Sequence, residues 1–308
     1  MKPRLRYCGL AFVLALFAIP VAAEVPMDFD GDAKSDLAVF RPSTGTWWVR
    51  NSSTGSTSMV KFGTSGDIPV PGDFDGDGKT DAAIFRPTTG GFWLRLSSTG
   101  SSQFIPFGLS TDEPRVVADY DGDGKADVAV WRSSSATFYV RRSSNFAVDF
   151  IPFGLSGDRA LPGYRTDTSS RAHPSVYRPS NGTFYASVFG TLVAVTAGDP
   201  ATDAVAVHDR LGGPGSDWTV FTKTGAQAGD WFVRGSTSFG AIQESASFGV
   251  ANDLPVSGDF DGDGKMDLGV VRDNGASLVW YTTSGASTAV SPWGSTGDVV
   301  PASTFFWR

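Results

Sequence analysis

The feature that most constrains the fold is a repeat that runs in tandem through the chain. Its units open at Asp28, Asp73, Asp119, Arg165, Asp209 and Asp259. Four openings carry an acidic string, such as DFDGDGKTD from Asp73, whereas the units at Arg165 and Asp209 keep the frame without it. Successive openings are 44 to 50 residues apart, which leaves no room for linkers. The chain is therefore expected to fold as six copies of one small unit.

Each unit contains four short apolar segments. In the unit around Asp73 these read IPVPGDF, AAIFR, GFWLRL and SQFIPFG, separated by the acidic string, by PTTG and by SSTGS. The segments have the length of strands and are too short for helices. Tandem units of about 45 residues with four strands each are typical of β-propeller blades. We predict an all-β fold, a β-propeller of four-stranded blades with six blades; an open β-solenoid is the alternative.

The two ends of the repeat region bear on how a ring would close. The N-terminal EVPMDFDGD and the C-terminal DVVPASTFFWR both resemble the strand that enters an acidic string. The second of these stops before an acidic string can form. Either end could complete the first blade, and the sequence does not distinguish between them.

Two further positions repeat with the blade. Adjacent aromatic residues occupy the third strand of every unit: Trp47-Trp48, Phe92-Trp93, Phe138-Tyr139, Phe184-Tyr185, Trp231-Phe232 and Trp280-Tyr281. Because neighbours along a strand point to opposite faces, one ring of each pair is expected to pack toward each adjacent blade. An arginine follows the second strand in five units: Arg41, Arg86, Arg132, Arg178 and Arg272. We expect salt bridges or carbonyl contacts between blades from these arginines; a ring for an anionic ligand is the alternative.

Residues 1–23 differ from the rest of the chain. Three cations precede the apolar run CGLAFVLALFAIPV, which leads into VAA. This pattern predicts a secretory signal peptide cleaved after Ala23, with residues 24–308 as the propeller domain. Cys8 is the only cysteine and lies ahead of the apolar run, so we expect no disulfide or thiolate site in the mature chain. The predicted location is extracellular or periplasmic.

The charge of the chain is negative and concentrated in a few places. The formal net charge of −7 becomes −10 when the three cations of residues 1–23 are removed, which argues against nucleic acid as a partner. Of the 32 acidic residues, 16 lie in the four acidic strings. No later segment approaches the roughly 20 apolar residues of a membrane-spanning helix, so no transmembrane segment is expected in the mature chain.

The acidic strings have the spacing of a calcium-binding loop. Counted from Asp73, carboxylates occupy positions 1, 3, 5 and 9, glycine occupies position 6, and Lys79 at position 7 would turn its backbone carbonyl inward. Four carboxylates within about 4–6 Å repel one another, and a divalent cation with oxygen ligands removes that conflict. Position 12 is Ile84 in an apolar strand, not the bidentate glutamate of an EF-hand. The predicted Ca²⁺ ligands are Asp28, Asp30, Asp32, Lys34, Asp36, Asp73, Asp75, Asp77, Lys79, Asp81, Asp119, Asp121, Asp123, Lys125, Asp127, Asp259, Asp261, Asp263, Lys265 and Asp267.

The six openings are not expected to bind metal equally. Ala33 replaces the glycine of the first loop, and alanine resists positive φ, so this site is expected to be weaker. The ligand positions of the fourth unit hold Arg165, Asp167, Ser169 and His173. The fifth unit keeps only Asp209 and Asp217. We predict no metal in these two units, and hence three or four calcium ions per chain.

With these residues the chain resembles the FG-GAP and VCBS repeat families, the blade units of integrin-α-like propellers. The resemblance rests on the loop D-x-D-x-D-G-x-x-D and on the preceding segments FGTSGDIPVPGD, FGLSTDEPRVVAD and FGVANDLPVSGD. It extends over residues 24–308 and is closest in kind to bacterial secreted members, many of which have no assigned activity. The resemblance implies that the metal loop joins the first two strands of a blade and is structural. It also implies a role in adhesion or ligand binding.

No catalytic constellation is expected in this chain. Neither His173 nor His208 has a nucleophile and an orienting group nearby in the sequence, and the paired carboxylates are committed to the acidic loops. We predict a monomeric, non-enzymatic adhesion or scaffold module whose partner is an extracellular or cell-surface protein or a glycan. The aromatic residues raise the alternative of a carbohydrate-binding, lectin-like propeller. A calcium-dependent hydrolase is less favoured, because no dense basic run is present to hold phosphate.

Overall fold

The computed structural model describes residues 25–166, 169–199, 201–211, 215–235, 241–284 and 287–301. The side chains of residues 162, 164–170 and 284 are outside this description. The predicted signal peptide, residues 1–23, also lies outside the described residues. Within the described ranges the chain forms strands and turns, with no helix long and apolar enough to cross a membrane.

The described residues form 22 strands in six antiparallel sheets. Blades 1 to 3 contain β1 (Leu37–Arg41), β2 (Thr46–Arg50), β3 (Thr57–Lys61), β4 (Ile68–Pro69), β5 (Ala82–Arg86), β6 (Gly91–Arg95), β7 (Ser102–Pro106), β8 (Val128–Arg132), β9 (Thr137–Arg141) and β10 (Val148–Pro152). Blades 4 to 6 contain β11 (Arg159–Thr166), β12 (Ser169–Arg178), β13 (Thr183–Val188), β14 (Thr191–Thr196), β15 (Asp203–His208), β16 (Asp217–Thr222), β17 (Asp230–Arg234), β18 (Ile242–Ser247), β19 (Leu254–Gly258), β20 (Asp267–Asp273), β21 (Ser277–Ser284) and β22 (Ser287–Ser295). In every sheet the strands follow their order in the sequence.

The six sheets are the six blades of a β-propeller, as the repeat predicts. The innermost strand is the least regular in blades 1, 2 and 3. In blade 2 it is β4, Ile68–Pro69, followed by Pro71, and proline cannot donate to a sheet ladder. Blades 1 and 3 have three regular strands, and an isolated bridge supplies the innermost pairing: Phe40 with Val299 in blade 1, and Glu113 with Trp131 in blade 3.

Both ends of the described chain complete the first blade. Phe40 and Val299 exchange two backbone hydrogen bonds of 2.8 Å, so the C-terminal segment pairs with β1. Further along the same edge, the Met27 carbonyl accepts a hydrogen bond from the Asp36 N–H at 2.9 Å. The inner strand of blade 1 is therefore built in two halves, one from each end of the repeat region. This closure excludes the open solenoid.

The core lies between the blades, in six clusters of buried side chains. Trp47 shares a cluster with Ala82 and Ile84 of blade 2, whereas its neighbour Trp48 packs against a cluster that contains Trp280 of blade 6. The expected division of each aromatic pair between two adjacent blades is thus confirmed for this pair. The first ring is completely or almost completely buried in all six pairs: Trp47, Phe92, Phe138, Phe184, Trp231 and Trp280.

Backbone hydrogen bonds link successive blades beside the acidic loops. The carbonyl of the first loop residue in one blade accepts from an N–H of the next blade. The described pairs are Thr80 to Asp28, Ala126 to Asp73, Ala172 to Asp119, Met266 to Asp209 and Ser35 to Asp259, at 2.6–2.8 Å. The last pair joins blade 6 to blade 1, so the acidic loops take part in closing the ring.

Candidate metal sites in the acidic loops

The first aspartate of each acidic loop folds the loop around its own carboxylate. In blade 2, Asp73 is 3% exposed, and it accepts hydrogen bonds from the N–H groups of Gly76 at 2.6 Å and Gly78 at 2.8 Å. These glycines have φ values of +79° and +83°, which glycine adopts at no steric cost. The equivalent aspartates of the other three loops make the same contacts: Asp28, Asp119 and Asp259.

Each of the four acidic loops gathers three carboxylates, with one oxygen of each within 4.8 Å of the others. The clusters are Asp28, Asp30 and Asp32; Asp73, Asp75 and Asp81; Asp119, Asp121 and Asp127; and Asp259, Asp261 and Asp263. Loop positions 1 and 3 belong to every cluster, while position 5 completes it in blades 1 and 6 and position 9 completes it in blades 2 and 3. All three ligand atoms are oxygens, the set that a hard cation prefers.

One carboxylate oxygen in blade 1 lacks a partner. Asp30 Oδ1 is buried, and no described residue donates a hydrogen bond to it. A buried carboxylate oxygen without a partner is costly, and a cation within the cluster would satisfy it. The residues of this loop therefore fit a bound cation.

The ninth position holds the most buried carboxylate of the loop in blades 1, 2 and 3, and a buried one in blade 6. Asp81 is 0% exposed and accepts from the N–H groups of Phe74 at 2.9 Å and Ser97 at 2.6 Å. Burial outweighs these hydrogen bonds and raises the pKa of the Asp81 carboxyl to about 6. Burial also raises the pKa to about 6 for its three counterparts, Asp36, Asp127 and Asp267. A carboxylate with such a pKa is poorly stabilised as an anion in the folded chain without a cation.

A pair of serines covers the acidic loop in three blades, which the sequence analysis did not anticipate. In blade 2, Ser97 Oγ donates to Asp77 at 2.9 Å, and Ser98 Oγ donates to Asp75 Oδ2 at 2.5 Å. Asp77 itself is exposed, outside the cluster of three. The equivalent serines of blades 1 and 3 are Ser52, Ser53, Ser143 and Ser144. The signal in the sequence is the recurrence of Ser-Ser at one frame position, which by itself predicts only a turn.

The lysine at position 7 connects neighbouring loops. Lys79 Nζ of blade 2 donates to the Asp30 carbonyl of blade 1 at 2.9 Å. Its side chain also lies over Gly31, where an added Cβ would be 2.7 Å from the lysine Cε. Lys125 covers Gly76, and Lys34 covers Gly262, in the same way. The lysine side chain explains the glycine at position 4, and ligation through the lysine carbonyl stays a prediction for all four loops.

Blade 6 differs in the environment of its ninth position. Arg210, from the degenerate loop of blade 5, lies 3.5 Å from Asp267 Oδ1 and donates to the Met266 carbonyl at 3.0 Å. The same guanidinium pairs with Glu244 at 2.9 Å. The positive charge of Arg210 therefore lies beside Asp267, one of the predicted ligands. Asp267 is outside the cluster of three oxygens.

The two degenerate units differ from the acidic loops in strand length in blade 4 and in hydrogen bonding in blade 5. In blade 4 the strands β11 and β12 extend to 8 and 10 residues as one long hairpin. In blade 5, Asp217 accepts from the N–H groups of Arg210 and Leu211 at 3.0 and 2.8 Å. No acidic cluster occurs in the described residues of these units; the fourth-unit ligand position at Asp167 lies outside them, as do the side chains of Arg165 and Ser169.

The two histidines pack inside the blades that carry the degenerate units. His173 is 7% exposed, and its ring contacts Phe189 edge-on at 4.7 Å. His208 Nε2 lies 3.0 Å from Thr219 Oγ1, and burial lowers the pKa of His208 to about 3. Both rings are therefore part of the packing in blades 4 and 5.

The repeated arginines lie away from the acidic loops. Arg86 ends β5 and forms two hydrogen bonds of 2.7 and 2.8 Å with Asp67, on the connection from blade 1 to blade 2. The other pairs are Arg41–Asp298, Arg132–Asp112, Arg178–Asp158 and Arg272–Asp253. Each guanidinium also lies 4.3–5.3 Å from the second ring of the aromatic pair in its blade. The predicted salt bridges are confirmed, and these neutralised arginines do not form a ring of free positive charge.

The fold and the four loops define a six-bladed β-propeller with acidic repeat loops. A comparison with protein families finds a repeat of this kind in the chain. Residues 28–84 match the model of the FG-GAP-like repeat, which spans the first loop and the second. The sequence matches no curated protein.

Two solved structures are similar to this chain at low sequence identity. AofleA from Arthrobotrys oligospora is 10% identical, with 91% of each chain covered and a TM-score of 0.52. A putative 6-phosphogluconolactonase from Bacteroides uniformis is 11% identical, with 86% of this chain and 96% of that chain covered and a TM-score of 0.46. At such identities the likeness concerns the fold alone.

Proposed function

We propose that this protein is a secreted, calcium-loaded β-propeller that serves as a non-catalytic binding or scaffold module. The observation that carries the proposal is the fourfold gathering of three carboxylate oxygens within 4.8 Å at one frame position. The single lysine of the second loop does not relieve this crowding, because Lys79 reaches onto the preceding blade. A divalent ion in each cluster supplies the missing positive charge.

Calcium is the ion that suits these loops. The clusters contain only oxygen ligands, without the histidine or cysteine that zinc and copper prefer. Magnesium demands a near-ideal octahedron and keeps its waters, whereas calcium accepts a flexible set of carboxylates and carbonyls. Extracellular calcium modules work with dissociation constants of about 10⁻⁴–10⁻³ M, which agrees with the predicted export of this chain.

A structural role for the ion follows from the position of the loops. The first loop aspartate is buried, and its backbone carbonyl accepts the hydrogen bond that joins the next blade. An ion bound there fixes both the loop and the junction between two blades. Since metal binding to the folded state alone stabilises it by mass action, the ion would contribute to folding.

The proposal is tested by stripping the protein with a chelator and titrating calcium back while following the melting temperature. We expect a rise of several degrees with calcium and a much smaller rise with equal magnesium. Asp75→Asn should reduce the calcium-dependent rise. Asp149→Asn is the matched control, since Asp149 forms a surface pair with Arg142 outside the loops. An identical melting temperature with and without calcium would refute the proposal.

The hydrolase alternative makes a different prediction. A calcium-dependent phosphatase would hydrolyse p-nitrophenyl phosphate in the calcium-loaded state, and the rate would fall in Asp75→Asn. We expect no turnover above buffer in either protein. Calcium-dependent turnover that disappears in the variant would replace the scaffold role with an enzymatic one.

A further inference from the structure

A small pocket lies where blade 6 meets blade 1, the junction at which the chain closes. Its volume is about 130 Å³. The walls come from both blades: Val39, Arg41, Trp48, Trp293, Gly294 and Ser295. Each blade contributes one tryptophan, so the pocket combines two indole rings, one guanidinium and one hydroxyl.

This junction differs in sequence from the other five. Trp293 stands at the frame position that precedes the glycine of the blade connection. The other units have smaller residues there: Phe62, Phe107, Phe153, Ala197 and Phe248. The opposing position, Trp48, is a tryptophan in only one other unit, at Trp93. Two facing tryptophans therefore occur at the closing junction alone.

The indole N–H groups at this junction are not used by the fold. Trp48 Nε1 and Trp293 Nε1 are buried, and no described residue accepts a hydrogen bond from either. Buried tryptophan N–H groups ordinarily have a partner. In this protein the core indoles do have one: Trp47, Trp131, Trp231 and Trp280 each donate to a backbone carbonyl at 2.7–3.2 Å. Trp93 Nε1 also lacks a described partner, but Trp93 faces a phenylalanine, whereas the closing junction has a second such indole and a pocket.

The polar groups of the pocket favour a neutral ligand rich in oxygen. Arg41 is paired through Nε and Nη2 with Asp298 at 2.8 Å, and Nη2 also reaches Ser295 Oγ at 3.1 Å. The carboxylate cancels the charge of the guanidinium, while Nη1 keeps two N–H donors for which no partner is described. Together with the two indoles, the junction offers several donors and no net charge. Hydroxyl and ether oxygens satisfy such donors without bringing a charge into the pocket.

The size of the pocket limits the ligand to one ring. A cavity of about 150 Å³ lined by apolar side chains accommodates a benzene-sized molecule. A pocket of about 130 Å³ with an open mouth therefore accommodates one six-membered ring. It is too small for a cofactor or a drug-sized ligand, whose pockets are roughly 300–1,000 Å³. A pyranose ring has this size, a C–H face that stacks on an indole, and hydroxyl groups around its edge.

We propose that the junction between blades 6 and 1 binds one neutral pyranose unit of a glycan, with Trp48 and Trp293 as its aromatic walls and Arg41 as a donor. This inference rests on the binding role proposed above and names the class of ligand that would be bound. It does not require that the acidic loops hold calcium. The pocket lies beside the arginine end of the strands, away from those loops.

The test is a titration of the full mature chain, in calcium, with methyl glycosides of the common hexoses, 6-deoxyhexoses and N-acetylhexosamines. Binding is followed by tryptophan fluorescence and by saturation-transfer NMR of the glycoside. We expect one glycoside class to bind with one site per chain. Trp293→Phe, which installs the residue found in four other blades, should weaken binding at least tenfold, as should Trp48→Tyr. Melting temperatures of the variants confirm folding.

Trp93→Phe is the matched control at the next junction, where Phe62 faces it, and it should keep the wild-type affinity within about twofold. Equal loss of binding in Trp93→Phe would overturn the assignment to this pocket. Binding of acetate or glucuronate but of no neutral glycoside would overturn the neutral-sugar inference. If no glycoside binds while calcium still raises the melting temperature, the pocket inference fails and the calcium scaffold stands.

Discussion

At the scale of the residue, the side chain at loop position 6 determines the backbone strain of an acidic loop. Ala33 adopts a φ of +64° at loop position 6, where Gly78, Gly124 and Gly264 have +83° to +86°. The first loop thus keeps the common conformation although its side chain disfavours it, since left-handed backbone costs a non-glycine residue about 1–2 kcal/mol. Blade 1 therefore carries local strain and retains its cluster of three carboxylates.

Replacing this alanine should relieve the strain. We expect Ala33→Gly to raise the free energy of unfolding by about 0.5–1 kcal/mol, because the lost strain exceeds the added flexibility of the unfolded chain. The matched reciprocal is Gly78→Ala, where an added Cβ meets nothing within 4 Å, so only the backbone is tested. It should destabilise by about the same amount. Chemical denaturation of the calcium-loaded proteins measures both, and a loss of stability in Ala33→Gly would contradict this view.

The buried ninth-position carboxylates predict an unusual dependence on pH. Burial raises their pKa to about 6 from 3.8, so the folded chain binds more protons than the unfolded chain between these values. Their contribution to stability is complete below about 3.8 and is lost as the pH rises through about 6. The metal-free protein should gain from this term on acidification from about pH 7.5 to 5. The calcium-loaded protein should lose stability, because ligands must be deprotonated.

Melting temperatures across this pH range, with and without calcium, measure the effect. Asp81→Asn removes one titrating group. His208, whose pKa burial lowers to about 3, opposes the carboxylates in both proteins and cancels in the difference. If the difference between wild type and Asp81→Asn does not depend on pH in the metal-free state, the buried carboxylate is not responsible.

At the scale of the element, the feature that repeats is an arginine–aspartate pair at the end of the second strand of a blade. Five second strands have an arginine as their last or next-to-last residue, and each arginine pairs with a buried aspartate and lies over an aromatic ring. Blade 5 shows the alternative: Thr222 replaces the arginine, and Asp203 accepts from the Asp199 N–H and the Thr202 hydroxyl. The pair therefore ties the connection between two blades to the strand that follows it.

Breaking one such pair should leave a buried carboxylate uncompensated. Asp67 is 1% exposed at its side chain and Arg86 is 24% exposed. We expect Arg86→Met to cost about 2–4 kcal/mol, somewhat below the full range for a buried pair because the arginine is partly hydrated. Arg142→Met, in a surface pair with side chains 38% and 34% exposed, should cost less than about 1 kcal/mol. Equal costs for the two variants would show that the buried pair has no special role.

The sequence predicts some elements well and others poorly, for physical reasons. The three outer strands of a blade follow from apolar runs such as AAIFR and GFWLRL, which the structure places at β5 and β6. The innermost strand is harder, because Pro69 and Pro71 interrupt its ladder. The spacing of the acidic string predicts which residues gather, but position 5 or position 9 completes the cluster according to the blade. In blade 6 the ninth position faces Arg210, which comes from the preceding blade and is remote in sequence.

At the scale of the whole molecule, the ring is closed by the two ends of the described part of the chain. Val299 and Met27 pair with β1 and with the residue before it, and Val300 is 2% exposed in the cluster shared by blades 6 and 1. The similarity of both ends to one strand was visible in the sequence. The sequence does not predict that each end supplies half of that strand, because the two segments meet only when the ring closes.

A charge in this composite strand should open the ring. We expect Val300→Asp to destabilise the protein by more than about 3 kcal/mol, since it buries an unpaired carboxylate against Met27 and Val39. Val290→Asp is the control, because Val290 is 57% exposed on β22; it should change stability by less than about 0.5 kcal/mol. Denaturant melts of both variants, with scattering to detect expansion, provide the measurement. A Val300→Asp protein as stable as the control would contradict closure through the C-terminal segment.

The number of calcium ions per chain tests the central claim most directly. Purified mature protein, stripped and then dialysed against calcium near its extracellular concentration, should retain four ions per chain by elemental analysis and three in Asp75→Asn. Blades 4 and 5 should contribute none. Retention of no calcium by folded protein would contradict the account, and so would an unchanged count in the variant.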